Sequence, residues 1–248
     1  MNRIQTTFAN CKANNKAAYV AYLTMGAPTL AKSFRAAETL IGEGADVLEL
    51  GVPFSDPMAD GAVIRVAAAK ALKNGVTLAD VLKGAAKLRK KFPETPFVVF
   101  SYYNVIFSYG LERFASDAAA AGIDAVLVVD LPLEERDELL TVLRPHGLTM
   151  VPLVAPTSGA DRIVASAKGL EDSFLYAVTV KGTTGARTKL PPELESRLRE
   201  IKSLVKIPVV AGFGIKTPQE GAKVAKACDG FVIGSALVER FNKINHAH

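Results

Sequence analysis

The sequence predicts an α/β protein built as one closed barrel, with eight parallel strands alternating with helices. Three observations predict it. Short β-rich apolar runs alternate with helically spaced stretches along the chain, the pattern of repeated βαβ units, and eight such runs can be counted. Both faces of the runs are apolar, as strands require when helices cover one side and a packed interior the other. The length of 248 residues matches one (β/α)8 barrel of about 250 residues, so residues 1–248 are read as a single domain. An open doubly wound sheet is the alternative, and eight consecutive units favour closure.

In order, the runs are Tyr19–Thr24, Val47–Leu50, Phe97–Ser101, Ala125–Asp130, Thr149–Val154, Phe174–Thr179, Ile207–Ala211 and Gly230–Ile233. The helices between them carry start and stop signals. Thr77-x-x-Asp80 and Thr217-Pro218-x-Glu220 read as capped N-termini, the second with proline at the first helical position. Leu139, Leu140 and Leu143 keep helical spacing before a stop at His146-Gly147, and Leu194, Leu198 and Ile201 keep it after Pro191-Pro192. Two connections are long and irregular: Gly51 to Gly61 after the second strand, and Val180 to Thr188 after the sixth. Such loops at strand C-termini are where a barrel concentrates function.

Composition narrows the function classes. Hydrophobic residues make up 49% and charged residues 22%, as in a globular protein with a sizeable core. No apolar run reaches the roughly 18 residues of a membrane helix, and Met1-Asn2-Arg3-Ile4-Gln5-Thr6 opens a polar segment unlike a signal peptide, so a cytoplasmic protein is expected. Cys11 and Cys228 lie far apart without metal-ligand neighbours and read as inert buried thiols. The net charge is +5. Its densest lysines, Lys83, Lys87, Lys90 and Lys91, fall opposite the apolar face Leu78, Val81, Leu82, Ala85, Leu88 and Phe92. That is a solvated helix face, and no nucleic-acid partner is expected. The three histidines, His146, His246 and His248, follow no strand, which leaves acid–base work to carboxylates, tyrosine or lysine.

Glu49 interrupts the otherwise apolar strand end Val47-Leu48-Glu49-Leu50. Neither strand face of a closed barrel meets water, so this carboxyl is either paired inside or displayed at the catalytic rim, where partial burial raises its pKa toward neutral. Asp60 follows on the long loop and has two readings, a second catalytic carboxylate or the cap of the helix that starts near Ala62. Asp56-Pro57 reads as a turn. Gly212-Phe213-Gly214 directly follows the seventh strand, and Gly234-Ser235 follows the eighth and opens a helix. Glycines admit backbone amides to an anion, a helix N-terminus adds its dipole, and these two loops commonly hold phosphate in this fold; tight barrel turns are the plainer reading. Tyr22, Phe100, Tyr102 and Tyr176 fall at strand ends on the same rim, fitting a pocket for a flat apolar ring with one charged end.

The stretch Leu48-Glu49-Leu50-Gly51-Val52-Pro53-Phe54-Ser55-Asp56-Pro57-Met58-Ala59-Asp60-Gly61 resembles the signature of the tryptophan synthase alpha chain family. The resemblance continues through Tyr102-Tyr103-Asn104, Asp130-Leu131-Pro132-Leu133-Glu134-Glu135, Val151-Pro152-Leu153-Val154-Ala155-Pro156-Thr157-Ser158, Gly182-Thr183-Thr184-Gly185-Ala186-Arg187, Gly212-Phe213-Gly214-Ile215 and Gly230-Phe231-Val232-Ile233-Gly234-Ser235-Ala236. It implies a TIM barrel and a lyase that cleaves indole-3-glycerol phosphate to indole and glyceraldehyde 3-phosphate in tryptophan biosynthesis, with no metal or organic cofactor. By resemblance Glu49 transfers protons and Asp60 accepts the indole N–H. Tyr22, Phe100, Leu127 and Tyr176 match positions around the indole ring and glycerol chain. Gly185, Gly214, Gly234 and Ser235 match the phosphate site with Phe213 beside it, and Thr184 matches a loop residue that contacts the aspartate. A pyridoxal-phosphate-bearing beta chain is the implied partner, in a heterotetramer of two alpha and two beta chains.

The match departs at Ala27, Ala62, Arg65, Val105 and Val129, where the family carries other residues. Ala62 and Arg65 stand closest to Asp60, and Arg65 is expected to add positive charge near a carboxylate. The chain ends about 14 residues after Gly234, and the last helix is expected to be short. Two other functions are weighed: a Schiff-base aldolase using Lys181, and a non-catalytic subunit that activates a beta chain.

Overall fold

The computed structural model describes residues 1–178, 192–212 and 214–243. Nine parallel strand segments are β1 (Ala18–Thr24), β2 (Val47–Gly51), β3 (Phe97–Ser101), β4 (Ala125–Val128), β5 (Thr149–Met150), β6 (Leu153–Val154), β7 (Leu175–Val178), β8 (Val209–Gly212) and β9 (Gly230–Ile233). They form one sheet in the order β5-β4-β3-β2-β1-β9-β8-β7-β6. Its two ends, β5 and β6, are the halves of the single expected run Thr149–Val154. The break falls at Val151-Pro152, where proline offers no N–H to a ladder. The carbonyl of Pro152 still accepts from the Tyr176 amide at 2.8 Å, and the Val151 amide donates to Val126 at 2.9 Å. One residue pair thus joins the sheet's two edges, and the curl closes into an eight-stranded barrel.

Other boundaries shift slightly. The seventh expected run begins at Val209, not Ile207, because Pro208 precedes it, and it extends to Gly212. The fourth stops at Val128; Asp130, expected at its end, instead accepts the Tyr103 amide at 2.7 Å.

The described helices are α1 (Arg3–Ala13), α2 (Leu30–Gly42), α3 (Ala62–Lys73), α4 (Leu78–Lys91), α5 (Tyr103–Tyr109), α6 (Leu111–Ala120), α7 (Arg136–Leu143), α8 (Ala160–Ala167), α9 (Pro192–Leu204), α10 (Pro218–Val224) and α11 (Ser235–Lys243). Thr77 and Asp80 form the expected capping box of α4. Thr217 caps α10 with Pro218 in its first turn, and Gly147 takes the left-handed conformation (φ 73°) that ends the α7 segment. Lys83, Lys87, Lys90 and Lys91 are exposed as read. Cys11 and Cys228 are free and buried. No described helix is long and apolar enough to cross a membrane.

Strand alternation divides the apolar residues into two cores. Tyr19, Ala21, Leu48, Leu50, Phe97, Val99, Leu175 and Phe231 point outward against the helices. Val20, Val47, Val98, Ala125, Phe174, Val210 and Val232 fill the barrel. Helix α1 stops its N-terminal mouth with Ile4, Phe8 and Cys11, and the rings of Phe8 and Phe174 lie 5.3 Å apart.

The same end is pinned by a recurring device, an aspartate just before one strand accepting the amide that starts its neighbour. Asp46 holds the Tyr19 amide at 2.8 Å, Asp124 the Phe97 amide at 2.8 Å and Asp229 the Val209 amide at 2.9 Å. Each also pairs with a cation: Lys16, Arg89 and Lys202 respectively. The Arg89 guanidinium is the most committed, because besides Asp124 it bonds the carbonyls of Gly122, Phe92 and Thr95. Removing it leaves buried Asp124 with Arg3 as its remaining cation, at 2.9 Å, and takes the donor from several carbonyls. Arg89→Met is therefore expected to cost about 3–5 kcal/mol of stability, read as a fall of about 6–15 °C in Tm. Turnover per folded molecule should be unchanged, since the cluster lies at the end of the barrel opposite the cavity described next.

Candidate active site

A cavity of about 380 Å³ opens at the C-terminal ends of the strands and is lined by both candidate carboxylates, Glu49 and Asp60. Glu49 lies on β2 in register with Tyr22 of β1 and Val98 of β3, and alternation turns all three inward. Only 1% of Glu49 is exposed, and neither carboxylate oxygen has a hydrogen-bond partner among the described residues. Burial alone pushes its pKa up to about 8, because an ionised carboxyl has lost its water without gaining a cation. At neutral pH Glu49 therefore holds a proton. The alternative reading of Glu49, a structural ion pair, is not formed among the described residues.

Asp60 reaches the cavity from the β2–α3 connection, whose backbone turns through Asp60 N–H to Pro57 at 3.0 Å. The helix-cap reading of Asp60 does not hold: Gly61 occupies the cap position of α3, with no side-chain bond to the helix. The Asp60 carboxylate instead accepts the Tyr102 hydroxyl at 3.1 Å. Burial raises its pKa to about 6 and that hydrogen bond opposes the rise. Arg65 is exposed and makes no ion pair with Asp60 among the described contacts, so the expected added charge does not act there. Asp56 lies exposed in the turn, as read.

Aromatic walls complete the apolar part. Tyr22 and Phe100 meet edge to face with centroids 5.0 Å apart, and Tyr176 stands across from them; all three line the cavity. Leu127 does not. It is fully buried in the barrel interior, one strand from Phe100 in register, and Val129 two residues on lines the cavity in its place. Val63 and Ile64, from the first turn of α3, also face in. Their helical spacing with Ala67, which joins the same interior cluster, was a signal in the sequence that went unused.

A further part of the wall is formed by Gly214, Gly234 and Ser235, with Gly234 next to Tyr22 and Ser235 opening α11. A helix leaves its first amides without intrahelical partners, and Lys216 stands beside them on the cavity edge. The glycines of this wall have different reasons. A Cβ on Gly212 would fall 1.9 Å from the Tyr176 ring, whereas one on Gly214 would meet nothing within 4 Å. The tight-turn reading thus explains Gly212 but not Gly214, which faces open space. Phe213, Thr184, Gly185 and Lys181 lie outside the described residues. Among the described residues no cluster of three His, Cys, Asp or Glu is close enough to hold a metal ion.

Comparison with known proteins agrees with this geometry. The family model described as "Tryptophan synthase alpha chain" matches residues 8–248. The tryptophan synthase alpha chain of Citrifermentans bemidjiense is 45% identical over 247 residues, covering 100% of this chain and 92% of that protein. That of Geobacter sp. strain M21 is likewise 45% identical, with the same coverage. The crystal structure of tryptophan synthase subunit alpha from Legionella pneumophila superposes with a TM-score of 0.90 at 38% identity, covering 100% of this chain and 91% of that one. The chain belongs to the tryptophan synthase alpha chain family.

Proposed function

We propose that this chain cleaves indole-3-glycerol phosphate to indole and glyceraldehyde 3-phosphate as the alpha subunit of tryptophan synthase, with Glu49 and Asp60 as its working carboxylates. The observation that carries the reading is Glu49 itself, a buried, unpartnered carboxyl aimed into a cavity with aromatic walls. Such a group is costly unless a ligand uses it.

The chemistry follows from the two environments. Protonated Glu49 delivers its proton to ring carbon C3 of the indole, and positive charge develops on the ring nitrogen. Ionised Asp60 accepts the N–H and stabilises that charge. The bond from C3 to the glycerol carbon then breaks as the adjoining hydroxyl gives its proton back to Glu49, forming the aldehyde and leaving the enzyme as it began. Tyr22, Phe100 and Tyr176 flank the ring, with Leu127 supporting the wall from within. Gly214, Gly234 and Ser235 take the phosphate, and Phe213, Gly185 and Thr184 are assigned to the same end by family resemblance. No metal or organic cofactor is assigned to this chain. Its partner is the beta chain, in a two-alpha, two-beta heterotetramer, and residues 1–248 act as one domain in the cytoplasm.

Activity should follow a bell-shaped pH profile in kcat/KM. Glu49 must be protonated, so activity falls as pH rises through about 8, and Asp60 must be ionised, so it falls as pH drops through about 6. A profile flat across both limbs would remove this assignment. In an indole-release assay Glu49→Gln should lose about 10²–10⁴ in kcat, with and without a beta chain. The same variant tests the burial cost. Folded Glu49 keeps its proton more tightly than the unfolded chain, whose value is 4.5. Its carboxyl therefore adds no pH-dependent penalty below about pH 4.5, a growing one up to about 8 and a constant one beyond. The Tm difference between Glu49→Gln and the parent should grow over that window and then level off.

The phosphate wall has its own test. Gly214→Ala should leave Tm within about 2 °C, its Cβ entering open space, yet raise KM about tenfold by intruding on the phosphate. Gly212→Ala should lower Tm by displacing the Tyr176 ring. Unchanged KM in Gly214→Ala would move the phosphate elsewhere.

A further inference from the structure

Asp60 sits on a connection that leaves the barrel after Val52, whose amide donates to Phe100 at 2.9 Å; nearer Asp60 the backbone bonds are local, Met58 to Asp56 and Asp60 to Pro57. Among the described residues one side chain ties this end of the connection back to the barrel. The Tyr102 hydroxyl accepts the Ala59 amide at 3.1 Å and donates to Asp60 Oδ2 at 3.1 Å. The direction of that second bond is fixed by the first. An amide can only donate, so it occupies the hydroxyl as an acceptor, and the single phenolic proton is committed to the carboxylate.

Tyr102 is itself buried and packed. It is 3% exposed and follows β3 directly at the cap position of α5. Its ring stacks on Phe54 at 4.9 Å, and the next amide, Tyr103, is held by Asp130 at 2.7 Å. Phe54 lies on the same connection as Asp60, so one tyrosine grips that connection through its ring and through its hydroxyl.

We propose that Tyr102 is the positioning residue of the site: it holds Asp60 by Oδ2, keeps it ionised, and leaves Oδ1 turned to the ligand's N–H. This rests on the assignment of Asp60 made above. The other described groups around the cavity do not take this place. Tyr22, Tyr176 and Glu49 face the cavity from β1, β7 and β2, and the two phenols already sit far above their usual range through burial, with Asp60 a further cause. Each of these would repel a negative charge or is neutral, and Lys216 stands at the phosphate wall. Among the described residues, the Tyr102 hydrogen bond is the interaction that favours the charged form of Asp60.

The test is Tyr102→Phe, which keeps the ring stack and deletes the hydroxyl, assayed for indole release beside Asp60→Asn and the double variant. The expected result is a fall of about tenfold in kcat with KM within about twofold, and an acidic limb raised by about one pH unit because the carboxylate has lost a donor. In the Asp60→Asn background the Tyr102→Phe change should have no further effect on kcat, since it acts only through that carboxylate. An acidic limb unmoved from the parent, or an equal further loss in the Asp60→Asn background, would overturn the proposal; that second outcome also holds if Tyr102→Phe merely weakens the fold. Should Asp60→Asn alone retain parental turnover, the fault lies with the role given to Asp60 and not with the grip of Tyr102.

Discussion

A closed parallel barrel wrapped in helices has no strand face in contact with water, and the chemistry of this chain depends on that constraint. Inward residues near the strand C-termini are desolvated by geometry, whatever their polarity. Glu49 is such a residue, and without a hydrogen-bond partner among the described residues the buried carboxyl keeps its proton through neutral pH. Asp60 differs because it comes in from a connection outside the ladder and brings a hydrogen-bond donor with it in Tyr102. Two carboxyl groups around one cavity are thereby set to opposite charge states, the condition for pairing an acid with an electrostatic stabiliser.

The two ends of the barrel divide stability from function. At the N-terminal mouth, α1 fills the opening and Asp46, Asp124 and Asp229 each clamp the start of a neighbouring strand. Those aspartates are each satisfied by an amide and a cation. At the C-terminal mouth Glu49 faces the cavity without a hydrogen-bond partner among the described residues, and space beside Gly214 is left open. A fold tied by such clamps at one end can carry an unmatched group at the other. The glycines at the end of β8 illustrate the division at single-residue scale: a Cβ at Gly212 would meet the Tyr176 ring, and one at Gly214 would meet no described atom within 4 Å.

Much of this was legible in the sequence, and for local reasons. Strand runs, the caps at Thr77 and Thr217 and the stop at Gly147 depend on short-range periodicity and turn chemistry, so they survive in one dimension. The outlying position of Glu49 in an apolar run marked it as a rim residue. Prolines moved two boundaries, at Pro152 and Pro208, by removing a ladder donor, and β4 ended at Val128 where Asp130 bonds the Tyr103 amide instead.

Other features belonged to the tertiary structure alone. Spacing left Asp60 divided between a helix cap and a site carboxylate; the choice was made by Tyr102, 42 residues away, whose hydroxyl no local pattern connects to it. Leu127 lies in β4 and Val129 just past its end, and only the closed barrel puts the second at the cavity and the first beneath it. The charge state of Glu49 likewise depended on what did not arrive beside it, a property of the packed surroundings. The sequence by itself determined the repeating units, their capping and the residue types at the rim, because these are written in neighbouring residues. The partners and protonation of those residues were decided by closure, which brings distant strands around a common interior and withdraws water from it.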